Sequence, residues 1–508
     1  MKTPETIQQQ IRQILLDARK TERQTTFALA EYAQNLCDYP RGAPMVAFRR
    51  LESKGILCDH NDGHAPYAPR YLLADFDRFF ATGCDHLRLA PPRDLVEALG
   101  ALMMFYMNTP SVTHFPVYAG HLDRLLEPFV AGEDEALARK LIRGFLMQID
   151  RMVSDSFCHV NIGPAPTCAG KLLVEECAKL KNAVPNMTLL YDPAVTPDDF
   201  AALCVRAALR CANPAFAYAP YFRERVGEGY GIASCYNGLL VGGGAYSLSR
   251  LRLGRAAEAA ADEADFFGNV LPEAVDVACA FMEAKVRYLA EEAPFFRSNY
   301  LVTEGFLHRE RFTGLFGIVG LNECVNLLMR RRGCADRYGH TAAADDLGLE
   351  IVRAIESRVG QFRSKYCECT DHRFVLHAQV GACGDNGVTP GVRIAIGSEP
   401  PLYDHLRQAG RFHPFFPSGI GDIFPFDETA EQNPEAVLDV FKGAFQAGMH
   451  YISTYAAKGD VVRVTGYLIK RSDMERYQAG SAVTNGAVGA SEETVEKRGT
   501  YARSVRSV

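Results

Sequence analysis

Gly466 is the first residue whose placement could do chemistry. It sits in Arg463-Val464-Thr465-Gly466-Tyr467, between Val461 and Val462 on one side and Leu468 and Ile469 on the other. A glycine among strand formers loses more backbone entropy on ordering than any other residue, so something must offset that cost. A bulge or tight turn would do so. So would close approach by a second group, which any Cβ would block. A glycine Cα also suits an unpaired electron: loss of its hydrogen leaves a planar centre, shared between the amide nitrogen and the carbonyl, with no side chain to crowd it. Gly466→Ala separates these roles, since a bulge tolerates a methyl at modest cost.

Cys235 is the second. It lies in Gly229-Tyr-Gly-Ile-Ala-Ser234-Cys235-Tyr236-Asn237, at the tip of an apolar segment followed by Gly242-Gly243-Gly244 and an alternating strand to Leu253. Most single cysteines are simply small buried apolar residues. The glycine triplet invites a phosphate-loop reading, but no Gly-Lys-Ser/Thr follows it. Weaker candidates are Asn161 in Cys158-His-Val-Asn161, Glu323 at the end of Gly314–Glu323, and His64 and His377. Arg393 ends Asn386-Gly-Val-Thr389-Pro390-Gly391-Val-Arg393, a stretch able to cradle an anion. For each of these a satisfied core or turn hydrogen bond is the competing explanation. Asp59, His60, Asp62 and His64 crowd one proline-flanked loop, where a turn network competes with metal binding. Cys367-Glu-Cys369 is the one close cysteine pair, near His372 and His377; with no Cys-x-x-Cys motif anywhere, we predict no metal.

These residues need elements to hold them. The chain has 508 residues, 48% hydrophobic and 23% charged, as in an ordinary globular protein. Its net charge of −6 argues against nucleic acid or an anionic membrane as the main partner. The most apolar stretch, Leu99–Met107, is far too short to span a bilayer. Fifteen cysteines, odd in number and irregularly spaced, fit a reduced compartment, and no signal-peptide pattern opens the chain, so a cytoplasmic protein is expected. Helical periodicity at about 92–107, 119–131, 134–154 and 263–290 alternates with short apolar strands such as Leu189–Tyr191, which predicts an α/β architecture. Four units are expected: a helical segment over 1–56, an α/β core over 57–450, the Gly466 loop region over 451–480, and a flexible tail over 481–508 rich in small residues.

Ser234-Cys235 with its glycine-rich turn, Gly314–Glu323 and Arg463-Val-Thr-Gly466-Tyr467 resemble segments of anaerobic ribonucleotide reductases and follow in the same order along the chain. Over nearly its whole length the chain most resembles the YjjI family of glycyl radical enzymes. The resemblance implies a ten-stranded barrel of two five-stranded half-barrels, with a cysteine loop and a glycine loop meeting inside. Gly466 would store a radical, Cys235, 231 residues earlier, would become the thiyl that attacks substrate, and Arg463, Thr465 and Tyr467 would shape the radical loop. Glu323 is the favoured proton-transfer residue, with Asn161, His64, His377 and Arg393 as further substrate contacts. It also implies a homodimer, no tightly bound cofactor, and a radical installed by a separate activating enzyme using S-adenosylmethionine and an iron–sulfur (4Fe–4S) cluster. Residues 451–508 would swing out to meet that partner.

Departures narrow the reaction. Tyr236 follows Cys235 where pyruvate formate-lyase relatives have a second cysteine, and Asn237 stands where eliminases have a glutamate. No cysteine follows Gly466, unlike the zinc site of the reductases. The expectation is thiyl-initiated, oxygen-sensitive cleavage, elimination or rearrangement of a small polar metabolite. Ribonucleotide reduction is the alternative, and a non-catalytic ligand-binding relative is a third reading.

Overall fold

The structure is a computed structural model that describes residues 3–36, 42–59, 67–378, 388–498 and 500–503. The first seven strands are β1 (Leu57–Asp59), β2 (Tyr71–Leu73), β3 (His159–Ile162), β4 (Asn186–Tyr191), β5 (Ala215–Tyr218), β6 (Tyr230–Ala233) and β7 (Asn237–Leu240). They are followed by β8 (Gly243–Arg252), β9 (Phe312–Val319), β10 (Val375–Ala378), β11 (Asp422–Phe426), β12 (Tyr451–Ala456), β13 (Val461–Arg463) and β14 (Leu468–Lys470).

Ten strands form two five-stranded sheets. One runs β1-β8-β9-β10, with β2 also paired to β8; the other runs β11-β12-β5-β4-β3. Parallel pairing dominates, as between β3, β4 and β5, because a helix returns the chain after each strand: Cys168–Leu180 and then Asp198–Cys211. With helices over the faces, such strands read as apolar runs, and all six residues of β4 are buried. Thr167 marks where one of these helices begins, accepting from the Gly170 amide as an N-cap. The mixed α/β class is as expected. Among the described residues no strand ladder joins the two sheets, so a closed ten-stranded barrel is not seen; the ten strands stand as two separate hydrogen-bonded units.

The remaining strands form two small hairpins, β6–β7 and β13–β14, which belong to neither sheet. Expected helices appear as Leu95–Met107, Leu122–Val130, Glu135–Gln148 and Leu271–Arg287. The N-terminal helices Pro4–Leu15 and Glu22–Gln34 contain no buried residue and lie on the outside. Within the segment expected as a flexible tail, the structure describes residues 481–498 and 500–503. A helix, Ala487–Arg498, packs back onto the molecule with Val488 and Ser491 buried. Its small residues permit this approach: a Cβ on Gly489 would lie 2.9 Å from the Tyr477 hydroxyl. Among the described residues no helix is long and apolar enough to cross a membrane.

Candidate active site

The turn of β6–β7 is Ser234-Cys235-Tyr236, closed by the Ala233–Asn237 pair. Ser234 takes the left-handed conformation at φ 57°, and its amide donates to the Val117 carbonyl at 2.7 Å. Its carbonyl lies 2.7 Å from His159 Nδ1, while the Tyr451 hydroxyl donates to the Cys235 carbonyl at 2.8 Å. His159 Nε2 meets Thr188 Oγ1 at 2.7 Å, which fixes the ring. Burial pulls the His159 pKa down to about 3, so the ring is neutral. The Cys235 side chain is buried, and desolvation pushes its thiol up to about 11. At neutral pH it is a protonated thiol, suited to giving a hydrogen atom and poorly suited to thiolate attack.

The second hairpin pairs Arg463 with Leu468, so Val464-Thr465-Gly466-Tyr467 forms its tip, and the Val464 amide donates to the Tyr467 carbonyl at 3.1 Å. The backbone of Gly466 lies outside the left-handed region. Conformation therefore does not require glycine there; space does. A Cβ on Gly466 would sit 2.1 Å from Cys235 Cβ, 2.7 Å from its Sγ and 3.2 Å from its Cα. The two tips are in direct contact.

Asn186 Nδ2 donates to the Gly466 carbonyl at 2.8 Å, and Arg463 Nη1 donates to the same oxygen at 3.3 Å. Asn186 and His159 face each other in register on β4 and β3. One register pair of the sheet thus holds both tips, Gly466 through Asn186 and Ser234 through His159. Tyr467 closes the outer side, its hydroxyl 2.8 Å from Ser491 Oγ of the C-terminal helix. Thr465 is buried, and among the described residues its hydroxyl has no hydrogen-bond partner.

A cavity of about 870 Å³ opens at Cys235. Its inner wall carries Asn237, His377, Cys58, Arg70 and Arg250, and its mouth is formed by the helix Glu22–Gln34 and by residues 483–490. Gln24 Nε2 donates to the Val483 carbonyl at 3.0 Å across that mouth. Asp59 also lines it, neutralised by the buried Lys285 at 2.8 Å.

The other expected residues are distributed unevenly. His377 is on the cavity wall, its Nε2 2.5 Å from Asn237 Oδ1, and burial pulls its pKa down to about 3. Asn161 uses both ends of its amide on Ile232, accepting from its N–H and donating to its carbonyl at 2.8 Å each. It aligns the strand that leads to Cys235. Glu323 holds a loop against its own helix, accepting from the Thr389 amide at 3.1 Å and from the Thr389 hydroxyl. Arg393 stands behind Tyr236, its Cζ 5.8 Å from the ring and its Nε donating to the Gly421 carbonyl at 2.6 Å. Neither Glu323 nor Arg393 lines the cavity. His60, Asp62 and His64 lie outside the described residues. Burial raises the thiols of Cys367 and Cys369 to about 11 and about 12, and His372 is exposed. Among the described residues no group of three His, Cys, Asp or Glu could hold a metal ion. Asn186, His159, Tyr451, Arg70 and Arg250 were not anticipated. The available signal was polar residues inside otherwise apolar strands, as in Asn186-Met-Thr188-Leu-Leu.

Comparison with known proteins gives a family, a relative and two solved structures of similar fold. The family model described as "Glycyl radical enzyme YjjI-like" matches residues 20–506. "Uncharacterized protein YjjI" of Escherichia coli (strain K12) is 39% identical over 482 residues, covering 94% of this chain and 92% of that one. Among solved structures, the anaerobic ribonucleotide reductase from Thermotoga maritima superposes with a TM-score of 0.71 at 12% identity, covering 93% of this chain and 94% of that one. Hydroxyproline dehydratase from Clostridioides difficile, solved with trans-4-hydroxy-L-proline bound, gives 0.67 at 10% identity, covering 98% and 89%. Identities this low speak for a shared fold.

Proposed function

The chain belongs to the YjjI-like glycyl radical enzyme family, and we propose that it stores a radical on Gly466 and uses Cys235 to pass it to a small polar substrate. The observation that carries this reading is the approach of the two tips, where Cys235 Cβ and Sγ occupy the space a side chain on residue 466 would need.

The chemistry is a chain of hydrogen-atom transfers. The Cys235 S–H bond breaks as the Gly466 Cα–H bond forms, leaving the unpaired electron on sulfur. The thiyl then takes hydrogen from a substrate carbon activated by a neighbouring oxygen, nitrogen or carbonyl. After the substrate radical has rearranged or lost a group, it takes the hydrogen back from Cys235, and Gly466 recovers the radical. No net electron enters or leaves. Contact between the tips makes the first transfer effectively intramolecular. Burial serves a second purpose, excluding dioxygen and stray hydrogen donors, so the activated enzyme is oxygen-sensitive.

Substrate sits in the cavity at Cys235, with Arg70, Arg250, Asn237 and His377 as its polar contacts. Glu323, Asn161 and Arg393 act on the frame around it. The reaction is a cleavage, elimination or rearrangement. Ribonucleotide reduction is the second reading, favoured by the fold shared with the Thermotoga maritima reductase; equilibrium binding of ribonucleotides to this chain separates the two. A separate enzyme using S-adenosylmethionine and an iron–sulfur cluster takes the first hydrogen from Gly466. It reaches that carbon only if β13–β14 and the C-terminal helix leave the core together; the moving unit begins later than the expected residue 451, because β12 is an inner strand of the second sheet, paired to both β11 and β5. Anaerobic activation followed by electron paramagnetic resonance tests the reading. A doublet from one α-proton is expected in the wild type and none in Gly466→Ala; a doublet that persists in that variant places the radical elsewhere.

A further inference from the structure

We propose that Asn186 and Arg463 set where the unpaired electron rests: by donating together to the Gly466 carbonyl, they stabilise the glycyl radical relative to the Cys235 thiyl. This rests on the reading of Gly466 and Cys235 above and adds to it two residues with a defined task.

The arrangement around that carbonyl is unusual for a loop. Arg463 is fully buried, and among the described residues no carboxylate pairs with it. Its Nη2 donates to the Ala212 carbonyl at 2.7 Å and to Asn186 Oδ1 at 3.3 Å, and its Nη1 to the Gly466 carbonyl at 3.3 Å. Burying a cation without an anion is costly, and a loop that needed only to be tied down would be held more cheaply by neutral groups. The guanidinium also fixes its neighbour. It has donors and no acceptor, so Asn186 must turn Oδ1 toward it, and the amide N–H₂ then faces the Gly466 oxygen at 2.8 Å. Asn186 is itself fully buried on β4, where its position is set by the sheet and not by the loop.

Two donors on one oxygen act differently on the two states of the glycine. In the closed-shell residue they meet an ordinary amide carbonyl. In the radical, delocalisation from the amide nitrogen through Cα moves electron density onto that oxygen, and the same two hydrogen bonds strengthen. Interactions stronger in one state than in the other shift the balance between them. The balance here is Gly466 radical plus Cys235 S–H against Gly466 Cα–H plus Cys235 thiyl: one bond breaks, one forms, and no proton or outside oxidant is involved. Favouring the first side keeps the electron on carbon until substrate arrives.

The test compares the full-length wild type with Asn186→Asp after anaerobic activation. Aspartate keeps the shape and the contact with Arg463 but has no N–H for the Gly466 oxygen. Spin drawn back to Cα is expected to widen the α-proton splitting of the variant. Its doublet is also expected to collapse in D₂O about tenfold faster, the factor that ~1.4 kcal/mol, roughly one hydrogen bond, represents. A purely structural contact predicts the opposite sign, because a loosened tip carries Cα away from sulfur and slows the exchange. An unchanged splitting with an equal or slower collapse overturns the proposal. Should aspartate prevent folding, Asn186→Leu carries the same expectation. Absence of any doublet in the wild type sinks the underlying radical reading, whereas a normal wild-type doublet with unaltered variants sinks this inference alone.

Discussion

The two hairpins that meet at the site are alike in size and opposite in attachment. The β6–β7 tip is built into the middle of the chain and held by residues from both sheets: His159 on β3 and Tyr451 on β12 from one, and the Ala378 carbonyl on β10, which accepts from the Tyr236 hydroxyl at 2.8 Å, from the other. The β13–β14 tip is held in part by its own terminal module. Arg503 donates to the Arg463 carbonyl at 2.7 Å and to the Val464 carbonyl at 3.2 Å, and Ser491 meets Tyr467. Its ties to the core run through Asn186, Ala212 and Ser156, whose hydroxyl donates to the Leu468 carbonyl at 2.6 Å, and all of them lie on one sheet and the segment beside it. One tip is tied into both sheets; the other is tied partly to a terminal module, and under the proposed function it is the one that leaves. That is the division of labour expected when the sulfur must stay with the substrate and the glycine must be shown to an activating partner.

Perturbing each side should expose the difference. The largest effect is expected from Gly466→Ala, which loses the doublet and, with its methyl forced against Cys235, lowers stability by about 1–3 kcal/mol, read from denaturant unfolding. Next, His159→Leu leaves a carbonyl of the fixed tip short of its main partner and should cost about 2 kcal/mol in the same measurement, with little change in how fast the partner installs the radical. Arg503→Ala should do the reverse: a stability loss under about 1 kcal/mol, but several-fold faster activation, because the module detaches more easily. If His159→Leu accelerates activation and Arg503→Ala does not, the assignment of fixed and movable tips is wrong. The smallest effect is expected from pH. The Cys235 pKa is raised by burial, so hydrogen transfer should be flat through neutrality and fall only near pH 11. By linkage, the folded state is favoured below the thiol's ordinary pKa of about 9 and loses that advantage as pH rises toward 11.

The sequence carried the two residues proposed to react more clearly than their supports. Gly466 and Cys235 lie in local patterns, a glycine among strand formers and a cysteine before a glycine-rich turn, and the resemblance to glycyl radical enzymes rests on those short windows. The α/β alternation was equally local. The anchors were not: Asn186 lies 280 residues from Gly466, and His159 lies 75 from Ser234, so only tertiary pairing gives them meaning. Glu323 and Arg393 show the converse, since a polar residue in a suggestive segment can be consumed by a loop, here by Thr389 and by Gly421. In the tail, small residues admit two physical roles. Small residues usually signal a weakly anchored end, but between Gly486 and Ala490 they are what lets a helix lie close against Tyr477.

The account stands on hydrogen passing between one sulfur and one backbone carbon, and deuterium can follow that passage. Thiol hydrogens exchange with solvent, while a glycine Cα–H does not by itself. Wild-type enzyme activated anaerobically and moved into D₂O should change from a doublet to a singlet, and Cys235→Ala should keep its doublet under the same conditions. A Cys235→Ala variant that collapses as fast as the wild type would contradict the account.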